Sequence, residues 1–176
     1  MNIIIRQEQP SDHKIVFNLI KSAFENEVYT DHKEQYLVER LRKSDVFIPE
    51  LSLVAERNGE IVGYILLTKL KIKDDNFEYD SLALAPVAVL PEYHNQGIGG
   101  LLINKAHEIS RNLGHTSVIL LGHAGYYPKF GYKLTKDFAI KLPFDVPDEN
   151  CMAIELTPDA LKNVKGMVEY PSAFYE

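Results

Sequence analysis

Three glycines within four residues, Gly97, Gly99 and Gly100, close the stretch PEYHNQGIGG (Pro91–Gly100). Before it lies an apolar run with the look of a strand, and after it an amphipathic stretch with helical spacing. Glycine removes side-chain bulk and admits unusual backbone angles, at an entropic cost. At a helix start the unpaired N–H groups and the positive end of the dipole suit a phosphate or pyrophosphate. Gly97 and Gly99 would let the backbone approach such a group, and Gly100 adds room. A P-loop is excluded, because no G-K-[ST] follows a four-residue gap. A Rossmann turn fits badly too: it follows the first strand and needs an acid at the next strand end, whereas this loop follows the fourth.

The other chemistry-bearing residues narrow the field. His107-Glu108 opens like a zincin helix, but position 111 is arginine and H-E-x-x-H is absent. The remaining histidines lack metal-ligand spacing, so no metal is expected. No G-x-S-x-G elbow supports serine-hydrolase chemistry. Cys151, in the apolar run CMAIEL, reads as a core residue.

The elements that must position these residues alternate along the chain. Residues 2–7 form a first strand, and Pro10-Ser11-Asp12 start a helix carrying Ile15, Val16, Leu19, Ile20, Ala23 and Phe24. A second helix covers about residues 32–43. Residues 51–72 are two β-rich runs broken by Asn58-Gly59, a hairpin signal. Residues 82–90, LALAPVAVL, form a strand in which Pro86 predicts a bulge or frayed pairing. A helical stripe runs from Ile98 to Leu113 with Gly114 as its C-cap. Strand 116–122 and a short helical segment near 124–130 follow, then strand-like runs FAIKL and CMAIEL. The pattern is α/β, a mixed sheet with helices on both faces.

Composition fits one domain large enough to bury a core, with 45% hydrophobic and 25% charged residues. The net charge of −6 argues against nucleic acid. One cysteine excludes an intramolecular disulfide and suits a reducing compartment. Neither a signal peptide nor a membrane span is evident, so a soluble cytoplasmic protein is expected.

The loop and its flanks resemble the GNAT superfamily of N-acetyltransferases. That family places [RQ]-x-x-G-x-[GA] after V-x-V-x-P; here Val87-Ala88-Val89-Leu90-Pro91 precedes His94-Asn95-Gln96-Gly97-Ile98-Gly99. His94 stands where the family usually has Arg or Gln. GEIVGYILL (59–67) looks like the central hairpin strand, and Tyr126–Tyr132 like the Y-x-x-x-G-[FY] signature. The resemblance runs from about residue 3 to 134, and residues 135–176 are expected to complete a single domain. LVERLR, APVAVLPEY and YYPKFGY further suggest a small bacterial subgroup of mostly unassigned substrate.

The resemblance implies a GNAT fold, a splayed mixed sheet with acetyl-CoA between the fourth and fifth strands. Val87, Ala88 and Val89 would pair with the pantetheine amides as an added strand. The Val89 N–H would stabilise the acetyl oxygen, and the backbone amides of Asn95, Gln96, Gly97, Ile98, Gly99 and Gly100 would hold the pyrophosphate, with His94 at the position of the family's Arg or Gln contact. Tyr127, separated by three residues from the Gly131-Tyr132 pair, matches the register of the family's general acid; Tyr126 does not. The base is open among Glu25, Glu27 and His123. The implied acceptor is a small-molecule or peptide amine, with no nucleic-acid or membrane partner. Tail aromatics Tyr170, Phe174 and Tyr175 could cover a sheet edge, cap the cleft or meet a second subunit in a homodimer, with packing the preferred reading. A coenzyme A sensor without catalysis is the alternative, and Tyr127 speaks against it.

Overall fold

Asn58 and Gly59 both adopt positive φ, 52° and 82°, and turn strand β2 (Phe47–Arg57) into β3 (Glu60–Lys73). The residue types tolerate that geometry, and the primed turn matches strand twist. Around this hairpin, a computed structural model describes residues 2–176. In chain order the remaining elements are β1 (Ile3–Gln7), α1 (His13–Phe24), α2 (Glu34–Arg42), β4 (Glu78–Val89), α3 (Ile98–Asn112) and β5 (Ser117–Leu121). Four short strands follow: β6 (Lys133–Leu134), β7 (Ile140–Lys141), β8 (Cys151–Glu155) and β9 (Gly166–Glu169).

The sheet runs β1-β2-β3-β4-β5-β8-β6, with β9 added on β3 and β7 on β9. It is mixed: β4–β5 and β7–β9 pair parallel, the other neighbours antiparallel. Alternation along β2 sorts the two faces. Leu53 and Ala55 lie with Ile98, Leu102, Ile103 and Ala106 of α3. Val54 lies with Val16, Leu19 and Ile20 of α1 and Val38 and Leu41 of α2. Helices thus cover both faces, each fully buried aliphatic contributing about 1.5–3 kcal/mol in transfer free energy.

β4 carries the feature that shapes the site. Ile65 faces Val87 while Leu67 faces Leu84, so Ala85 and Pro86 together oppose Leu66. Pro86 has no N–H to give the ladder, and the bulge sits where its presence predicts. On its other edge β4 meets β5 only at Leu82–Val118 and Ala83–Ile119, and beyond that the strands part.

Some boundaries differ from the sequence reading. β2 starts at Phe47 rather than 51, admitting Pro49, and β4 starts at Glu78 rather than 82. The helical segment expected near 124–130 is a 3-10 turn, Tyr127–Phe130. β6 and β9 are additional strands, two and four residues long, made by pairing partners distant in sequence rather than by local propensity.

The α1–α2 side is fastened by a buried charge. Glu8, just past β1, accepts from Arg42 Nε at 3.1 Å, from Arg42 Nη2, and from Ser52 Oγ at 2.6 Å. Ser52 Oγ also meets the buried Tyr64 hydroxyl at 2.8 Å. Each member has a partner, as a buried ion requires. This network ties the C-terminal end of α2 to β2 and β3.

Candidate active site

The gap between β4 and β5 leaves backbone groups free. Leu90 N–H donates to Val62 O at 2.9 Å. Ladder alternation therefore turns the N–H and C=O of Val87 and Val89 away from β3, into the gap. The Val89 carbonyl there accepts from His94 Nε2 at 2.8 Å, which places a proton on that nitrogen. His94 thus braces the end of β4. Ala88, by contrast, is buried on the α1–α2 face.

Beyond His94 the backbone reverses. Asn95 has φ 60°, Gly97 has φ 80° as the N-cap of α3, and a Cβ on Gly97 would meet nothing within 4 Å. The first helical bond is Leu101 N–H to Gly97 O at 3.1 Å, leaving the first-turn donors without helical partners. Gln96 takes a bond from Arg57 Nη1 at 3.0 Å, with the guanidinium 5.4 Å from the Tyr93 ring centre. Gly99 and Gly100 serve a different need: a Cβ on Gly99 would lie 2.6 Å from the Tyr126 hydroxyl, and one on Gly100 3.3 Å from Phe130. These two glycines let the turn after β5 close against the helix.

That turn carries Tyr127. Its ring is 7% exposed, packed edge-on to Tyr126 (5.0 Å) and Tyr132 (5.8 Å). A Cβ on Gly122 would come within 2.2 Å of the ring, so only glycine admits it there. Gly122 is pinned from both sides: its N–H donates to Asn150 O at 3.0 Å and its carbonyl accepts from Asn150 Nδ2 at 2.9 Å. The Tyr127 hydroxyl has no hydrogen bond to the described residues, and burial holds its proton far more firmly than an exposed phenol would. Behind it, Tyr132 pairs with His107 Nε2 at 2.8 Å. Burial, with Arg111 adding, pulls His107 down to about 4.

Of the three base candidates, two come together. His123 follows β5, and its Nε2 lies 3.9 Å from Glu27 Oε2 at the end of α1; both are well exposed. Glu25, the α1 C-cap, makes no side-chain bond to the described residues. Nearby Glu34 is pushed up chiefly by burial, with Asp31 and Glu27 adding to the negative field. Sequence reasoning missed Asn150 and Gly122, whose pairing joins positions with no local signal of contact. Cys151 is buried in the core. Among the described residues no three His, Cys, Asp or Glu side chains group to hold a metal ion, and no helix is long and apolar enough to cross a membrane.

A split sheet with a bulged fourth strand, a free edge and a glycine-led helix defines an acyltransferase architecture. Residues 4–135 match the family model described as acetyltransferase (GNAT) domain, and the chain belongs to that family. It is 39% identical over 119 residues to the uncharacterized N-acetyltransferase YjhQ of Escherichia coli, a match spanning 67% of this chain and 66% of that relative. It is 28% identical over 173 residues, 98% of each chain, to the uncharacterized N-acetyltransferase YhbS of the same species. Among solved structures, the E. coli YhbS complex with CoA superposes with a TM-score of 0.89 at 26% identity, covering 100% of this chain and 93% of that one. A Brucella melitensis GNAT family acetyltransferase in complex with acetyl-CoA superposes with a TM-score of 0.81 at 31% identity, covering 98% of each.

Proposed function

We propose that this protein transfers acetyl from acetyl-CoA to an amine by direct attack on the thioester. The observation that carries the reading is the parting of β4 from β5 after Ala83, which leaves Val87 and Val89 facing a gap, with Tyr127 packed on Gly122 just past the end of β5. The residues fit the co-substrate. The N–H and C=O of Val87 and the N–H of Val89 offer a strand edge suited to amides, the Val89 carbonyl being held by His94. Gly97 leaves an open approach, and the first turn of α3 offers free donors for a pyrophosphate. Acetyl-CoA would supply an activated acyl group on a thiol leaving group.

Each protein group then has a task. The Val89 N–H stabilises negative charge developing on the acetyl oxygen. Tyr127 gives its proton to the departing sulfur; the burial that weakens the phenol as an acid also raises the basicity of a thiolate formed beside it. His123, with Glu27 behind it, takes the proton from the attacking amine. A lysine-type amine, pKa about 10.4, needs such a base far more than an α-amine near 8. The negative field of Glu27, Asp31 and Glu34 favours a cationic acceptor at that end.

Acetyl-CoA at a hundredfold excess over its dissociation constant should stabilise the fold by about 2.7 kcal/mol, and ATP or NAD should not. Thermal shifts with ATP or NAD but none with coenzyme A would refute the reading. Acceptors are to be sought among polyamines, aminoglycosides, amino acids and peptides, scored by thiol release. With an acceptor found, Glu27→Gln and His123→Ala should each lower kcat about tenfold, less than the roughly hundredfold or more of a well-positioned general base, because both groups are solvated. Glu25→Gln should stay within about twofold. A larger loss from Glu25→Gln than from His123→Ala would move the base to Glu25.

A further inference from the structure

Lys129 stands in an unusual position for a cation on a chain of net charge −6. Its Nζ lies 4.2 Å from the Tyr126 ring centre and 5.2 Å from that of Phe130. The same two rings pack on the first turn of α3, with the Tyr126 hydroxyl at Gly99 and Phe130 at Gly100. Lys129 forms no salt bridge with any carboxylate among the described residues. On the opposite flank of the loop Arg57 is turned to the neutral Gln96 side chain, and the Tyr93 hydroxyl donates to Glu60 at 2.7 Å.

We infer that Lys129, propped on Tyr126 and Phe130 beside the first turn of α3, is a specificity-determining cation for the phosphates at the nucleotide end of the co-substrate. The inference rests on the reading that coenzyme A binds along this loop. Aromatic faces hold the ammonium in place without neutralising it, so its charge remains available to an incoming anion. A lysine serves as a point charge for phosphate, in reach of more than one oxygen as the side chain turns. The loop's own N–H groups can hold a phosphate but cannot tell one more or one fewer apart; a separate cation can.

The test is calorimetric titration of the intact protein with CoA and with dephospho-CoA, which lacks the ribose 3'-phosphate. Lys129→Met keeps the length of the side chain and most of its contact with the rings while removing the charge. It should weaken CoA binding about tenfold at low salt, with the difference shrinking as added salt screens the pair. Lys129→Arg should recover affinity to within about threefold, because charge and reach are kept. Loss for CoA but not for dephospho-CoA supports the inference and assigns the contact to the ribose 3'-phosphate; equal loss for both ligands overturns it, because the cation then tells one phosphate more or fewer apart no better than the loop does. Lys129→Met binding CoA within twofold of the unsubstituted protein overturns it and leaves the proposed function standing. An unsubstituted protein that binds no CoA overturns both.

Discussion

Tyr127→Phe should lower kcat by about a hundredfold while the dissociation constant for acetyl-CoA changes less than about twofold. The substitution keeps the ring, and with it the edge-on packing against Tyr126 and Tyr132. It deletes only the hydroxyl, which has no hydrogen bond to the described residues, so the fold loses no partner. What disappears is a proton needed when the carbon–sulfur bond breaks. Positioned general acids contribute roughly a hundredfold to ten-thousandfold, and an interaction made only in the transition state shows in kcat rather than in ground-state binding. The measurement requires a verified acceptor and conditions in which chemistry limits turnover. Full activity in Tyr127→Phe would remove that residue from the mechanism, and a parallel loss of acetyl-CoA affinity would assign it a binding role instead.

The second large effect is on stability against pH. His107 is 3% exposed, and its nitrogen is engaged by Tyr132. Its pKa of about 4 in the folded protein lies below the ordinary 6.5. Between those values the unfolded chain binds a proton that the folded chain refuses. Stability is therefore whole above pH 6.5 and falls as pH drops toward 4, with no further loss from this group below that. At 1.36 kcal/mol per pKa unit, the loss is on the order of 3 kcal/mol. His107→Gln can still pair with the Tyr132 hydroxyl but cannot take a proton. Urea unfolding between pH 4 and 7 should give a distinctly flatter curve for this variant than for the unsubstituted protein. Parallel curves would show that His107 does not carry the acid sensitivity.

Backbone chemistry was the part of this protein most legible in its sequence. Asn58-Gly59, Gly97 and Gly114 all take the positive φ that their types admit, and Pro86 lies in the bulge it predicts. These are local statements, made by one or two residues about their own geometry. Helix faces were legible in part: Val16, Leu19, Ile20, Ile98, Leu102 and Ala106 are buried as their spacing implies, but Ile15, Leu101 and Leu113 of the same stripes are exposed. The roles of Gly99 and Gly100 were not. Adjacent glycines look alike in sequence, yet Gly97 faces open space while its neighbours face Tyr126 and Phe130. Nor could the sequence choose among Glu25, Glu27 and His123, because the choice depends on where the end of α1 meets the end of β5. That meeting joins residues about a hundred apart in the chain and is made by tertiary packing, which no local pattern near the candidates encodes.

One strand ties the order of assembly to the layout of the sheet. β2 follows β3 only as far as Thr68, and β9 takes up the same side of β3 from Lys71 to Lys73. The two neighbours that complete one edge of β3 come from opposite directions along the chain: β2 through a two-residue turn, and β9 across a loop of roughly a hundred residues, whose closure entropy grows only slowly with length but must be met before the pairing returns anything. A ribosome releasing this chain would thus set free the N-terminal hairpin well before β9 could arrive. The matched family region ends at residue 135, yet β5 still awaits β8 and β3 still awaits β9. The nascent N-terminal part would wait with two unfinished strand edges, and that interval is when a chaperone would have most to protect.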